Sequence, residues 1–131
     1  MQLSVRDLKK LKYAHPDLAL VVTMAAKNTS IPFMVMEVER SLEQQKLNIK
    51  KGVSWTLRSR HLPSKDGLAR AADLVPIDAQ GKPIWAWPVY YKLAEVIKKA
   101  AIQVKIPVEW GGDRKKNKDG PHWQLPWAKY P

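Results

Sequence analysis

Few residues in this chain are equipped to do chemistry. Its 131 residues include three histidines and no cysteine. A thiolate metal site, a disulfide and a cysteine nucleophile are therefore excluded, and any metal must be held by histidine and carboxylate. His15, in Ala14-His15-Pro16-Asp17, stands at the entrance of a helix, where capping or surface packing is its expected role. His61 lies in Ser59-Arg60-His61-Leu62 and His122 in Asp119-Gly120-Pro121-His122-Trp123. With one carboxylate these two would form a set that suits a catalytic zinc ion with a fourth position open to water. No His-Glu-x-x-His occurs, so the ligands must converge from separate strands and loops. On residue type alone, Asp66, Asp73, Asp78, Asp113 and Asp119 all compete for the acidic position.

The elements that must position these residues can be read from caps and periodicity. Ser4-Val5-Arg6-Asp7 has the form of a capping box, with Asp in place of Glu, and predicts a short helix to about Leu11. Pro16 and Asp17 open a second helix, in which Leu18, Val21, Val22 and Ala25 recur at helical spacing to about Asn28. Residues 33–38 read as a buried strand. Ser41-Leu42-Glu43-Gln44 opens a third helix to about Asn48. Residues 51–64 lack periodicity and contain Gly52 and Pro63, so they read as loop with a short extended piece. Residues 71–75 read as strand and 78–83 as turn. The clearest helix starts at Pro88, with Val89, Leu93, Val96, Ile97, Ala100 and Val104 as its apolar stripe and Lys92, Glu95, Lys99 and Gln103 away from it. Pro107 breaks that pattern. Residues 108–110 form a short strand, 114–120 a polar loop, and 122–125 alternate like a strand. Helices mixed with short strands, without a repeating strand–helix unit, predict an α+β domain.

Composition narrows the functional classes. A chain of this length suits one domain with one core. An apolar fraction of 45% with six tryptophans argues for a packed globule and against disorder. No apolar run approaches the roughly 20 residues needed to cross a bilayer, so stable membrane insertion is not expected. Met1-Gln2-Leu3-Ser4-Val5-Arg6 lacks the apolar core and cleavage site of a secretory signal. The net charge of +11 favours a polyanionic partner such as an acidic wall polymer, nucleic acid or anionic lipid. With no zinc finger and no aromatic RNA-binding stretch, nucleic acid ranks below the wall.

Three stretches together resemble a known family. Ser59-Arg60-His61 is followed by Ala71-Ala72-Asp73-Leu74. Asp119-Gly120-Pro121-His122 is preceded by Glu109-Trp110-Gly111-Gly112-Asp113. Arg40-Ser41 is followed by Gln45. These are similar to the motifs of the M15 metallopeptidases, the D-alanyl-D-alanine carboxypeptidase and dipeptidase group, and most of all to its phage endolysins, which are L-alanyl-D-glutamate endopeptidases. The resemblance runs from His15-Pro16-Asp17-Leu18 to His122-Trp123-Gln124-Leu125. It implies a single compact catalytic domain over residues 1–131, with a small antiparallel sheet and flanking helices of the Hedgehog and D,D-peptidase type, and no separate wall-binding domain. It implies one zinc ion held by His61, Asp73 and His122, with Asp119 as general base. It places Arg40, Gln45 and Ser59 around the substrate. There Arg40 would neutralise an oxyanion or fork onto a carboxylate, Gln45 would buttress the site, and Ser59 would orient the loop that carries His61.

This sequence departs from the family pattern in two places. His61 and Asp73 are twelve residues apart, where the compact motif has seven, so the insert around Pro63-Ser64-Lys65-Asp66 must bulge outward. Asp73 is preferred to Asp66 because Ala71-x-Asp73 leads into Leu74-Val75-Pro76, a strand able to present its side chain inward. Val38 replaces the glycine usual before the arginine motif. Trp110 and Trp123 are expected to pack in the core.

The expected activity is that of a phage endolysin that cuts the stem peptides of peptidoglycan. It would be made without a signal peptide in the host cytoplasm, work as a monomer in the periplasm, and need a holin for access. A D,D-carboxypeptidase with the same zinc is the near alternative, and a non-catalytic module binding wall polymer or nucleic acid is the distant one. If the basic run Arg114-Lys115-Lys116-Asn117-Lys118 attracts the anionic wall peptide, neutralising its four charges should weaken lysis chiefly at low salt. Lysis rates measured across a salt series check this, and an unchanged salt dependence contradicts it.

Overall fold

Each predicted cap finds its partner in the computed structural model, which describes residues 1–52 and 59–131. Helix α1, Val5–Leu11, opens with a complete capping box: the Ser4 hydroxyl accepts from the Asp7 amide, and the Asp7 carboxylate accepts from the Ser4 amide at 3.0 Å. Helix α2, Pro16–Asn28, starts on proline, and His15 caps it by accepting the Asp17 amide on Nδ1. The His15 ring also meets Tyr130 edge-on, so this histidine has the capping and packing role expected of it. Strand β1, Phe33–Glu37, precedes helix α3, Leu42–Lys50, whose Ser41 cap accepts from the Gln44 amide. Strand β2 is Ala71–Pro76, helix α4 Trp87–Val104, strand β3 Glu109–Trp110 and strand β4 His122–Gln124. A single 3₁₀ turn, Gly111–Asp113, follows β3. The short extended piece expected between residues 51 and 64 falls on 53–58, outside the described residues.

The α+β prediction holds. The strands form one antiparallel sheet in the order β1-β2-β4-β3, and α2 and α4 pack together over it. Side chains alternate across the sheet. Phe33, Val35, Ala72, Leu74, Trp110 and Trp123 join the core with Leu18, Val21, Leu93 and Ile97. Trp110 and Trp123 stack at 5.7 Å between ring centroids, which is the core packing expected of them. The opposite face of the same strands carries Asp73, His122, Gln124 and Glu109, as the register below requires.

One expectation is corrected. The buried stripe of α4 is Tyr90, Leu93, Ala94, Ile97, Ala100 and Ala101, while Val89, Val96 and Val104 are half-buried. The helix is turned so that three alanines lie in the buried stripe and the branched valines lie at its margin. Close approach of two helices favours small contact residues, and apolar periodicity alone cannot register that preference.

An irregularity in β1 matters for function. Phe33, Met34 and Val35 pair with Pro76, Val75 and Leu74, but Glu37 pairs with Asp73, so Met36 is an extra residue. Such a bulge switches the residues beyond it to the opposite face. Glu37 therefore shares a face with Asp73 instead of pointing into the core. The bulge is held from outside by Lys10, whose ammonium donates to the Met36 carbonyl. Asp7 secures the same strand: its buried carboxylate accepts the Val35 amide at 2.9 Å. Asp7→Ala leaves that amide unsatisfied, and chemical denaturation should show a loss of about 1–3 kcal/mol.

Candidate metal centre

Strand register brings two of the expected residues together. Asp73 lies directly opposite His122 across the β2–β4 ladder, and directly opposed residues of an antiparallel pair project on the same face. His61 arrives from the loop before β2. That loop is tied on both sides: the Arg40 amide donates to the His61 carbonyl at 2.9 Å, and the Arg70 amide donates to the Arg60 carbonyl at 2.9 Å. Ser59 accepts the His61 amide on its hydroxyl at 3.2 Å, a local turn bond that sets how the loop presents the ring. The ligand-type atoms of His61, Asp73 and His122 all lie within 4.8 Å of one another. No other group of this kind occurs among the described residues.

The hydrogen bonds around the imidazoles decide which nitrogens face inward. His61 Nδ1 lies 2.8 Å from the Val38 carbonyl, which can only accept, so Nδ1 carries a hydrogen and Nε2 is turned to Asp73 Oδ1 at 3.1 Å. His122 Nε2 lies 2.7 Å from Gln124 Oε1. The Gln124 amide is oriented in turn by donating to Glu109 Oε1 at 3.1 Å. His122 therefore directs Nδ1 to the same Asp73 oxygen, at 3.5 Å. Both partners hold the metal-binding tautomer. Ligands bonded at about 2.0–2.2 Å to one ion lie within about 4 Å of each other, so small rotations adapt these residues to a divalent cation.

Charge coupling inside the cluster is strong. Burial by itself would lower the His61 pKa, but the charge and hydrogen bond of Asp73 outweigh it and raise the pKa. Burial would likewise raise Asp73, yet the two imidazoles hold it well below the usual carboxylate range. A metal ion binding here takes the place of a proton shared by these groups, so its affinity falls as pH falls through the raised His61 pKa. Asp66, the rival carboxylate, is elsewhere: it is exposed, pairs with Arg70 at 2.7 Å and closes a turn by accepting the Leu68 amide. The insert that contains it forms an outward turn, with the Ser64 amide donating to the Leu68 carbonyl at 3.0 Å.

Asp119 is brought to the cluster by its loop. The Gly111 carbonyl accepts the Asp119 amide at 3.1 Å, and the Asp119 carbonyl accepts the His122 amide at 3.3 Å. A methyl group at Gly111 would lie 2.4 Å from the Asp119 carbonyl oxygen and 3.0 Å from the β-carbons of Asp119 and His122. One at Gly112 would lie 2.3 Å from the Trp110 ring. The two glycines thus let the Trp110 strand lie flat against the loop that carries Asp119. Burial, and then the charge of Asp73, raise the Asp119 pKa, so this carboxyl holds a proton more readily than an exposed one.

Arg40 and Gln45 form a unit beside His61. The guanidinium donates through Nε to Glu37, the residue turned over by the bulge, and through Nη1 to Gln45 Oε1. Gln45 is completely buried and faces inward. Sequence reasoning offered Glu37 as an ion-pair partner of Arg40 but missed three contributors: the Val38 carbonyl, Gln124 and Glu109. The Gln124 role has a visible signal, since residues two apart on one strand share a face. The bulge that redirects Glu37 has none.

A sheet face presenting two imidazoles and a carboxylate that could hold a metal ion, with a further carboxyl of raised pKa near it, is a donor set of the kind metal-dependent hydrolases use. Residues 1–124 match the family described as phage L-alanyl-D-glutamate peptidase, and the chain belongs to it. The L-alanyl-D-glutamate peptidase of Listeria phage A118 is 33% identical over 106 residues, which are 80% of this chain and 34% of that protein. The chain thus spans about a third of that relative's length. The crystal structure of Serratia marcescens L-Ala D-Glu endopeptidase ChiX has the same fold. It matches with a TM-score of 0.89 and 39% identity, covering 100% of this chain and 94% of that one.

Gln124 offers a direct test of the His122 tautomer. Gln124→Leu removes the acceptor that fixes His122 and should weaken metal affinity about 10–100-fold with little change in fold. Competition with a chromogenic chelator measures the affinity, and an unchanged value contradicts the argument.

Proposed function

We propose that this protein hydrolyses the L-alanyl-D-glutamate bond of peptidoglycan stem peptides, as a zinc-dependent endolysin that lyses a bacterial host. The supporting observation is the convergence of His61 Nε2, His122 Nδ1 and the Asp73 carboxylate beside Asp119, in a chain of this family. Zinc bound by those three residues would polarise the scissile carbonyl and bring the pKa of a water to about 7.

The remaining chemistry belongs to side chains of this chain. Asp119 takes the proton of the attacking water and passes it to the leaving amine. Its raised pKa suits a group that must hold this proton between the two steps. Arg40, fixed by Glu37 and Gln45, supplies positive charge beside His61 for an oxyanion or a substrate carboxylate. Ser59 acts through the backbone of the His61 loop. In this reading residues 1–131 form one catalytic domain that works as a monomer, and a holin opens its route from the host cytoplasm to the wall.

Digestion of purified peptidoglycan followed by mass analysis tests the proposal. Fragments should carry a new amino-terminal D-glutamate, their release should stop with a chelator, and zinc should restore it. Loss of terminal D-alanine alone would assign a D,D-carboxypeptidase instead. Asp119→Ala should retain metal stoichiometry and lose about 10²–10⁴-fold in rate, whereas His122→Ala should lose metal and activity together. An active Asp119→Ala enzyme contradicts the assignment of the base.

A further inference from the structure

Tyr90 has a feature that packing does not explain. It lies in the first turns of α4 and is 4% exposed, yet its hydroxyl has no hydrogen-bond partner among the described residues. A buried polar group left unpaired is costly and uncommon, and a phenylalanine would fill the same space without that cost. The ring is well held. It lies against Gly120, where a β-carbon would be 3.1–3.3 Å from three ring atoms, and it meets Trp87 at 6.1 Å between centroids. Gly120 directly follows Asp119 and is anchored from its other side by the Trp110 indole, which donates to its carbonyl at 2.8 Å. The ring is thus packed against the short segment that joins Asp119 to His122.

We propose that the Tyr90 hydroxyl is a positioning donor for Asp119, forming its hydrogen bond when the carboxylate turns toward the reacting water during turnover. The hydroxyl already feels the Asp119 and Asp73 charges. Burial first, and then these two carboxylates, push its pKa up to about 12, so it remains a donor throughout the working range. Among the described residues, the Asp119 carboxylate accepts no hydrogen bond. A donor at hand that engages only in the working arrangement lowers the barrier without tightening ground-state binding.

The inference rests on Asp119 as the proton-transfer group, so Tyr90→Phe and Asp119→Ala are measured in parallel on a synthetic L-alanyl-D-glutamate stem peptide with the zinc-loaded enzyme. Tyr90→Phe keeps the ring and removes only the orphan oxygen. It should melt at the same temperature as the parent or higher, retain metal stoichiometry, lose about 10-fold in kcat and leave KM within about twofold. A purely structural hydroxyl would instead lower the melting temperature and spare kcat. A parental kcat, or a loss confined to KM, overturns the Tyr90 role. An active Asp119→Ala enzyme overturns the assignment of Asp119 itself, whereas an inactive one beside a fully active Tyr90→Phe removes only the role of Tyr90.

Discussion

The hydrogen bonds from His61 Nδ1 to the Val38 carbonyl and from His122 Nε2 to Gln124 govern what this site can be. An imidazole has two nitrogens, and only one that has no hydrogen can bind a metal. Here the outer nitrogen of each ring is assigned its hydrogen by a fixed acceptor, one a backbone carbonyl and one a side chain two residues along the same strand. The inner nitrogens then meet over the same carboxylate oxygen. Without those outer bonds the rings could rotate or exchange tautomers, and the same three residues would be a buried ion cluster. With them, the three residues are arranged so that a divalent cation could bind in place of their protons.

The sheet makes this arrangement compatible with folding. Its strands divide their side chains between two tasks, an apolar face under α2 and α4 and a polar face that carries the chemistry. Register cannot slip by one residue, because that would place Asp73 and His122 in the core and expose Leu74 and Trp123. The core packing therefore also fixes the geometry of the site. The bulge at Met36 is the one break in alternation, and it delivers Glu37 to the polar face, where it restrains Arg40. The glycines at 111 and 112 have a comparable function, removing side chains where the Asp119 loop crosses the edge of the sheet.

Much of this was legible in the sequence. The limits of α1 and α2 followed from Ser4 and Pro16, because caps act locally and their partners lie within three residues. The scarcity of histidines pointed to His61 and His122, but five aspartates competed on residue type; the resemblance to the M15 motifs singled out Asp73, and a strand able to present its side chain inward favoured it over Asp66. What could not be read depends on distant pairing. Nothing in Val38-Glu39-Arg40 announces a carbonyl aimed at an imidazole 23 residues away. The rotation of α4 that buries Tyr90 and Ala94 instead of Val89 and Val96 depends on how closely α2 approaches. The unpaired hydroxyl of Tyr90 is likewise a product of tertiary packing, invisible in an apolar stripe that reads the same with phenylalanine.

The central claim concerns specific atoms, so the most direct measurement is a crystal structure of the zinc-loaded protein with anomalous scattering recorded at the zinc edge. The account predicts one strong peak at about 2.0–2.2 Å from His61 Nε2, His122 Nδ1 and an Asp73 oxygen, with the Val38 and Gln124 hydrogen bonds intact. A peak bonded to His61 Nδ1 or His122 Nε2, or one at another set of side chains, would contradict it.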